Sequence, residues 1–516
     1  MKHSALMLKS IVIAVSFALT ACGGGGSGVH SNSTETGGKP GGTDPGTGNQ
    51  TPGDGENTPN VPSPVNPPPV NPPPVNPSPV NPSPVNPSPV NPDPDKHEPV
   101  DPTPIDPADN IPVPSSNPSR MDSTESAIKV PLSKNQYPRS VYGEDNTQAN
   151  LLNLKDARDQ GLDGKGVKVG IVDLPVDVNH PALPDNVVDL GQFGTPYNGK
   201  AYPHGDAVAL NIAGKDVRGK KIGIAPEVQI YSASATDSRG PGLINLLATI
   251  DSFNALDKAG VKIVNNSYGA NYYTNKQWYT NVAKAYLNAN NPADKSASYI
   301  GRFVSLVRDD MLFIWAAAND GQSQPSIESL FPLIEPELQK GWIVVAGVNS
   351  DNTIQKSSNR CGDTKNWCMV AYYQYEIANL YAKPGDDINA LPLTYITGTS
   401  FSAPQVTAAA ALVKQKYPWM TNNNLRTTLL TTATDLGAKG VDSVYGWGLL
   451  NIGKAVNGPA QFAFGDFSAN VTDGSYVFSN DISGQGGLIK DGTGTLILQG
   501  NHTYQGKTQI NSGTLP

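Results

Sequence analysis

A chain of 516 residues could hold three average domains, but its 52 glycines and 46 prolines are unevenly spread, so one large core beside stretches that do not fold compactly is the better expectation. A net charge of −8 and a pI near 5.3, without a basic stripe, exclude nucleic acid as a partner.

Lys2 and Lys9 precede an apolar run from Ile11 to Leu19, too short to span a bilayer and suited to the core of a secretory signal. The run ends in Leu19-Thr20-Ala21-Cys22, which resembles the lipobox of bacterial lipoproteins. That resemblance makes residues 1–21 a lipoprotein signal peptide, with acylated Cys22 as an anchor in the outer membrane. An ordinary signal with an incidental cysteine is the alternative. Residues 22–127 are too rich in Gly and Pro to bury a core and are expected to be a disordered linker. Within it Val-Asn-Pro-x-Pro repeats from Val65, Val70, Val75, Val80, Val85 and Val90. Two fixed proline φ angles per unit favour polyproline II at about 3.1 Å per residue, a semi-rigid stalk about 90 Å long.

Ordered patterning begins near residue 128, and an amphipathic helix is expected from Ala149 to Leu162. Gly166 to Asp173 is an apolar run ending in a carboxylate, as a buried parallel strand would, and it continues to His180-Pro181-Ala182-Leu183. Of six histidines, His3, His30, His97 and His502 fall in the signal, the linker or the carboxy-terminal extension. His180 precedes a proline and suits a turn, whereas His204 opens a helix of small residues, Gly205-Asp206-Ala207-Val208-Ala209. Val261 to Gly269 and Leu312 to Ala318 read as further buried strands, the second leading into Asn319-Asp320-Gly321. Cys361 and Cys368, close together in an exported chain and without a nearby histidine, are expected to form a small-loop disulfide and not a metal site. The strand Leu393 to Ile396 then leads through Gly398-Thr399-Ser400-Phe401-Ser402-Ala403-Pro404 into an alanine-rich helix. Ser400 thus sits where free backbone N–H groups and the helix dipole would stabilise an anion.

These aspartate, histidine, asparagine and serine segments, in this order, resemble those of the subtilisin-like serine proteases, and the resemblance extends over about residues 140 to 460. It implies an α/β, three-layer fold with a mostly parallel central sheet for residues 128–460. It implies that Ser400 is the nucleophile, His204 its base and Asp173 the residue orienting that base, with Asn319 and the Ser400 N–H as oxyanion donors. Ser267, Tyr268 and Gly269 would form one wall of the pocket for the residue before the scissile bond, and Ala316, Ala317 and Ala318 the other. Walls this small would admit a sizeable apolar side chain. The substrates would be proteins or peptides, the enzyme a monomer, and no cofactor would be required, with a calcium requirement left open. Two departures stand out. Gly-Asp-Ala-Val-Ala-Leu follows His204 where the family usually has Gly-Thr-His-Val-Ala-Gly, and no folded propeptide fits between stalk and catalytic unit. They sustain a rival reading, a catalytically silent binding protein or adhesin on a protease scaffold.

From residue 461 to 516 short alternating strands are separated by Gly and Asn turns, notably Gly487 to Leu498 and Thr508 to Leu515. They read as an incomplete β-solenoid and resemble the passenger-associated repeat of bacterial autotransporters. The whole is expected to be an exported, surface-anchored serine endopeptidase of a Gram-negative bacterium, acting on surface or host proteins or on its own passenger. The barrel of such a protein is not within these residues, as expected of a fragment or a truncated copy.

Overall fold

Apolar runs rich in Val, Ile and aromatic residues build the central sheet. The computed structural model describes residues 16–18, 111–115, 147–199 and 202–516. Its strands are β1 (Ser16–Ala18), β2 (Lys168–Val172), β3 (Val188–Gly194), β4 (Gln229–Thr236), β5 (Leu243–Asn245), β6 (Ile263–Asn266), β7 (Leu312–Ala316), β8 (Trp342–Val348) and β9 (Cys368–Tyr372). They form a nine-stranded sheet in the order β1-β5-β4-β2-β6-β7-β8-β9, with β3 also paired to β4. The run from β3 through β4, β2, β6, β7 and β8 to β9 is parallel throughout. Only the short edge pairs β4–β5 and β1–β5 are antiparallel. Every residue of β6, β7, β8 and β9 is buried, as a parallel strand covered on both faces requires.

Helices form the outer layers. Phe253 of Leu246–Lys258 and Phe303 of Tyr299–Arg308 pack edge-on against Phe313 of β7, with ring centroids 5.0 and 5.2 Å apart, and Trp315 and Trp342 complete the cluster. The helix Thr399–Lys416 is buried from Thr399 to Val413, and its alanines let it approach the sheet closely. Thr407 Oγ1 of this helix donates to Asn265 Oδ1 of β6 at 3.0 Å. The expected helix between Ala149 and Leu162 is instead two short ones, Thr147–Leu151 and Leu154–Arg158, because Asn153 between them takes a left-handed φ of 58°.

Residues 111–115 lie within the stretch expected to be disordered linker, yet they are held. Tyr279 donates its hydroxyl to Pro112 O at 2.9 Å, and Ser115 N and Oγ donate to the Asp363 carboxylate at 2.7 and 3.1 Å. Proline keeps this segment extended beforehand, so fewer chain conformations are lost when it docks. Cys22 and the Val-Asn-Pro-x-Pro repeat lie outside the described residues.

Beyond the sheet, β10 (Gln374–Ala378) and β11 (Leu393–Thr397) form an antiparallel pair that delivers the chain to Gly398. The carboxy-terminal part is a solenoid. β12 (Phe467–Asn470), β14 (Leu488–Asp491) and β16 (Thr508–Ile510) make one parallel ladder, and β13 (Ser475–Phe478) and β15 (Thr495–Leu498) another. Inside it the buried Lys490 ammonium donates to the carbonyls of Asp491, Gly492 and Ser512. The solenoid packs on the unit built around the central sheet: Tyr417 donates its hydroxyl to Val477 O at 2.7 Å, and its ring lies 5.2 Å from that of Phe478.

Candidate active site

In an open parallel sheet, ligands gather at the carboxyl ends of the strands where the strand order reverses. Here the chain runs from β2 outward to β3 and β4, then returns to place β6 on the other side of β2. Asp173 follows β2 directly and Ser267 follows β6, so the reversal brings both to one crevice.

Asp173 is wholly buried, and its Oδ1 lies 2.7 Å from His204 Nδ1. The same oxygen accepts the Leu174 N–H at 2.7 Å, while Oδ2 is buried and has no hydrogen-bond partner among the described residues. His204 is the first residue of the helix His204–Ala213. Gly205 follows because a Cβ there would lie 2.2 Å from Leu174 O, the backbone just after the aspartate. Only glycine lets the helix start so close to the strand end.

Ser400 is the second residue of its helix, where N–H groups have no intrahelical acceptor. Gly398, at φ 142°, makes the sharp entry from β11. Asn211 Nδ2, on the histidine helix, donates to Phe401 O at 3.0 Å, and the His204 and Phe401 rings lie 5.4 Å apart. The two helices therefore hold His204 beside Ser400. Ser400 Oγ donates to Ser267 O at 3.0 Å, and no hydrogen bond joins it to His204 among the described residues. Catalytic contacts of this kind often tighten only once substrate is bound. Ser267 Oγ in turn donates to Ser400 O at 2.7 Å, which fixes the pocket wall to the serine turn.

Asn319 Oδ1 accepts the Thr399 N–H at 2.8 Å and the Thr399 hydroxyl at 3.1 Å. The Thr399 hydroxyl also accepts the Ala318 N–H at 3.1 Å. With its oxygen so engaged, the amide turns its nitrogen away from Thr399. Ala318 reaches this contact with φ 88°, a left-handed conformation that costs an alanine about 1 kcal/mol or more.

The expected pocket residues divide. Ser267 and Gly269, beyond β6, face Ala316 to Ala318, beyond or at the end of the adjacent β7. The Tyr268 side chain is not part of the wall. It turns into the core, 5.6 Å from Trp315, and burial holds its hydroxyl protonated far above the usual tyrosine range.

Asp206 does not act as a bare charge beside His204. Its Oδ1 accepts the Asp177 N–H at 2.6 Å, and burial raises its pKa. His180 accepts the Ala182 N–H on Nδ1 and meets Asn379 O through Nε2 at 3.0 Å, so it braces a turn. Cys361 and Cys368 are disulfide-bonded, with Cα atoms 5.6 Å apart. Among the described residues no group of three or more His, Cys, Asp or Glu could hold a metal ion, and no helix is long and apolar enough to cross a membrane.

Comparison with known proteins agrees with this architecture. The model of the subtilase family matches residues 164–448, and that of the passenger-associated-transport-repeat matches residues 488–515. The chain is 34% identical over 465 residues to the Neisserial autotransporter lipoprotein NalP of Neisseria meningitidis, covering 76% of this chain and 42% of that protein. It is 26% identical over 441 residues to an extracellular serine protease of Serratia marcescens, covering 69% of this chain and 41% of that one. Against subtilisin DY of Bacillus licheniformis identity is 28%, over 59% of this chain and 96% of the relative. Thus the chain spans about two fifths of the length of the autotransporter relative. Among solved structures, the MycP3 protease of a type VII secretion system aligns with a TM-score of 0.45 and 20% identity, over 62% of this chain and 90% of that one.

Proposed function

Because the chain belongs to the subtilase family, we propose that it is a serine endopeptidase displayed at the outer membrane or cell surface of a Gram-negative bacterium. The observation that carries this reading is the 2.7 Å contact between His204 Nδ1 and the buried Asp173, beside a serine at a helix amino terminus. Ser400 Oγ rotates from Ser267 O to His204 Nε2 when a peptide enters. His204 takes its proton as the oxygen attacks the peptide carbonyl, and Asp173 stabilises the imidazolium. Asn319 and the Ser400 N–H receive the oxyanion, a contribution of about 3 kcal/mol for one such donor. His204 then protonates the leaving amine, and water, activated by the same histidine, hydrolyses the acyl-enzyme. These steps need no cofactor, and a calcium requirement is checked by labelling in the presence of a chelator.

Acylated Cys22 would be the anchor, with the signal and its edge strand β1 cut away to leave eight of the nine strands of the sheet, and the proline-rich stalk the spacer. The protein would act as a monomer on proteins of the bacterial surface or the host milieu, or on its own passenger. The autotransporter and extracellular-protease relatives favour this placement. Labelling of the purified chain with a serine-directed fluorophosphonate tests the activity. Label is expected on the parent and on neither Ser400→Ala nor His204→Ala. Folded parent that takes no label would favour the silent-scaffold rival.

A further inference from the structure

The segment after Asn319 returns to touch both expected pocket walls. Ser326 touches both. Its Oγ donates to Ala316 O at 3.4 Å, and its Cβ stands 2.5 Å from where a side chain on Gly269 would begin. Two residues on, Glu328 is wholly buried, with Oε2 accepting the Ala270 N–H at 3.0 Å and lying 3.1 Å from the same Gly269 position. Its other oxygen, Oε1, is buried and has no hydrogen-bond partner among the described residues, where Glu328 also makes no ion pair. A carboxylate buried with one oxygen unanswered is costly, so its place behind a substrate wall calls for a partner.

We propose that Glu328 is a specificity-determining residue, and that its carboxylate favours substrates with lysine or arginine immediately before the scissile bond. The inference rests on the protease reading above and sharpens its substrate class. The small walls at Gly269 and Ala316 to Ala318 let a long methylene stem pass, and the cationic end is then drawn to the carboxylate. An apolar side chain, which the wall sizes alone would admit, leaves Glu328 Oε1 unpaired. The titratable groups facing Glu328 are Tyr268 and Tyr299; burial keeps both as neutral phenols, and neither hydroxyl bonds Glu328 Oε1. Burial pushes the Glu328 carboxyl up to about 7 when no partner is present. Preference for a basic residue should therefore grow between about pH 6 and pH 8, as the carboxylate becomes charged.

The test compares kcat/KM for two peptides that differ only in lysine or leucine before the scissile bond, using the whole chain and its Glu328→Gln form. Glutamine keeps an oxygen for the Ala270 N–H but removes the charge. The parent should prefer the lysine peptide, increasingly so at higher pH. In Glu328→Gln the lysine-to-leucine ratio should fall at least about tenfold and lose its pH dependence. A ratio unmoved by the substitution, or a parent that prefers leucine, overturns the proposal. A purely structural role would lower both peptides in proportion and leave the ratio unchanged. Labelling of both forms by a fluorophosphonate without a side chain shows the triad intact, so a flat ratio then counts against Glu328 and not against the protease reading.

Discussion

Thr399 Oγ1 joins Asn319 Oδ1 to the Ala318 backbone across 80 residues of sequence. Replacing it with alanine removes the hydroxyl bond to Asn319 Oδ1 and leaves the Thr399 N–H bond to the same oxygen, so the amide is held less firmly. The kcat should fall by about tenfold with KM little changed, and Thr399→Ser should restore most of the loss. Steady-state kinetics on one peptide would decide, and a rise in KM at constant kcat would refute a positioning role. Glu328 yields a second expectation. Its pKa is about 7 in the folded protein and lies near 4.5 in the unfolded chain. Between these values the unfolded chain has released the proton while the folded one still holds it, so raising the pH favours unfolding. Stability should drop by about 3 kcal/mol, as an order of magnitude, from pH 4.5 through 7 and then level off. That part of the fall should vanish in Glu328→Gln, as denaturant melts at several pH values would show. The contrast explains what sequence reveals at this scale. Asp173, His204, Asn319 and Ser400 stand at a strand end or a helix start, positions that local patterning marks. Thr399 and Glu328 act through neighbours distant in the chain, and nothing local announces them. The same holds for Tyr268, whose place beside Ser267 hid a side chain turned into the aromatic core.

At the level of elements, the helix Asn422–Thr431 carries an unusual burden. Arg426 is 2% exposed, its guanidinium lies 3.9 Å from the Phe464 ring, and its Nε has no hydrogen-bond partner among the described residues. Burial depresses its pKa to about 9. Below about pH 9 Arg426 is charged in both the folded and the unfolded chain, so the fold bears the cost of burying that charge, offset only in part by the ring and by Asn423 Oδ1, which accepts from Nη1 at 3.4 Å. Arg426→Met, which keeps the stem volume, should therefore be neutral or raise the melting temperature, whereas Arg426→Ala should cost about 2 to 4 kcal/mol through the cavity it leaves. Thermal denaturation separates the two, and a methionine variant as unstable as the alanine one would show that the charge itself is needed. The strands were legible as elements because continuous apolar runs between turn residues are distinctive. The split of the first helix was not, since the left-handed Asn153 interrupts a pattern that the apolar spacing carries straight through. Nor was the docking of residues 111–115, because proline-rich composition sets the conformation of a segment without saying whether a tyrosine and an aspartate elsewhere will bind it.

Across the whole molecule, composition placed a change of character near residue 460, and the strands beyond it do take a different form. They are nevertheless packed on the catalytic unit, through Tyr417 and Trp419 against Tyr476 and Phe478. Asn424 Nδ2 adds a bond to Ser468 O at 3.2 Å. Phe478 is wholly buried, and burying one such side chain contributes about 2 to 3 kcal/mol. The solenoid thus stabilises the subtilase unit and cannot be treated as an independent appendage. Removing residues 461–516 would bare this aromatic face and leave the Tyr417 hydroxyl without its Val477 acceptor. The shortened protein should melt at least about 5 °C below the full chain, bind a hydrophobic dye, and show red-shifted tryptophan emission as Trp419 meets water. If the two proteins melt together, the contact is passive. If the expected loss is seen, a protease unit released by cleavage near residue 460 would be the less stable product. Any processing that preserves activity would then have to fall beyond the coils that cover Tyr417.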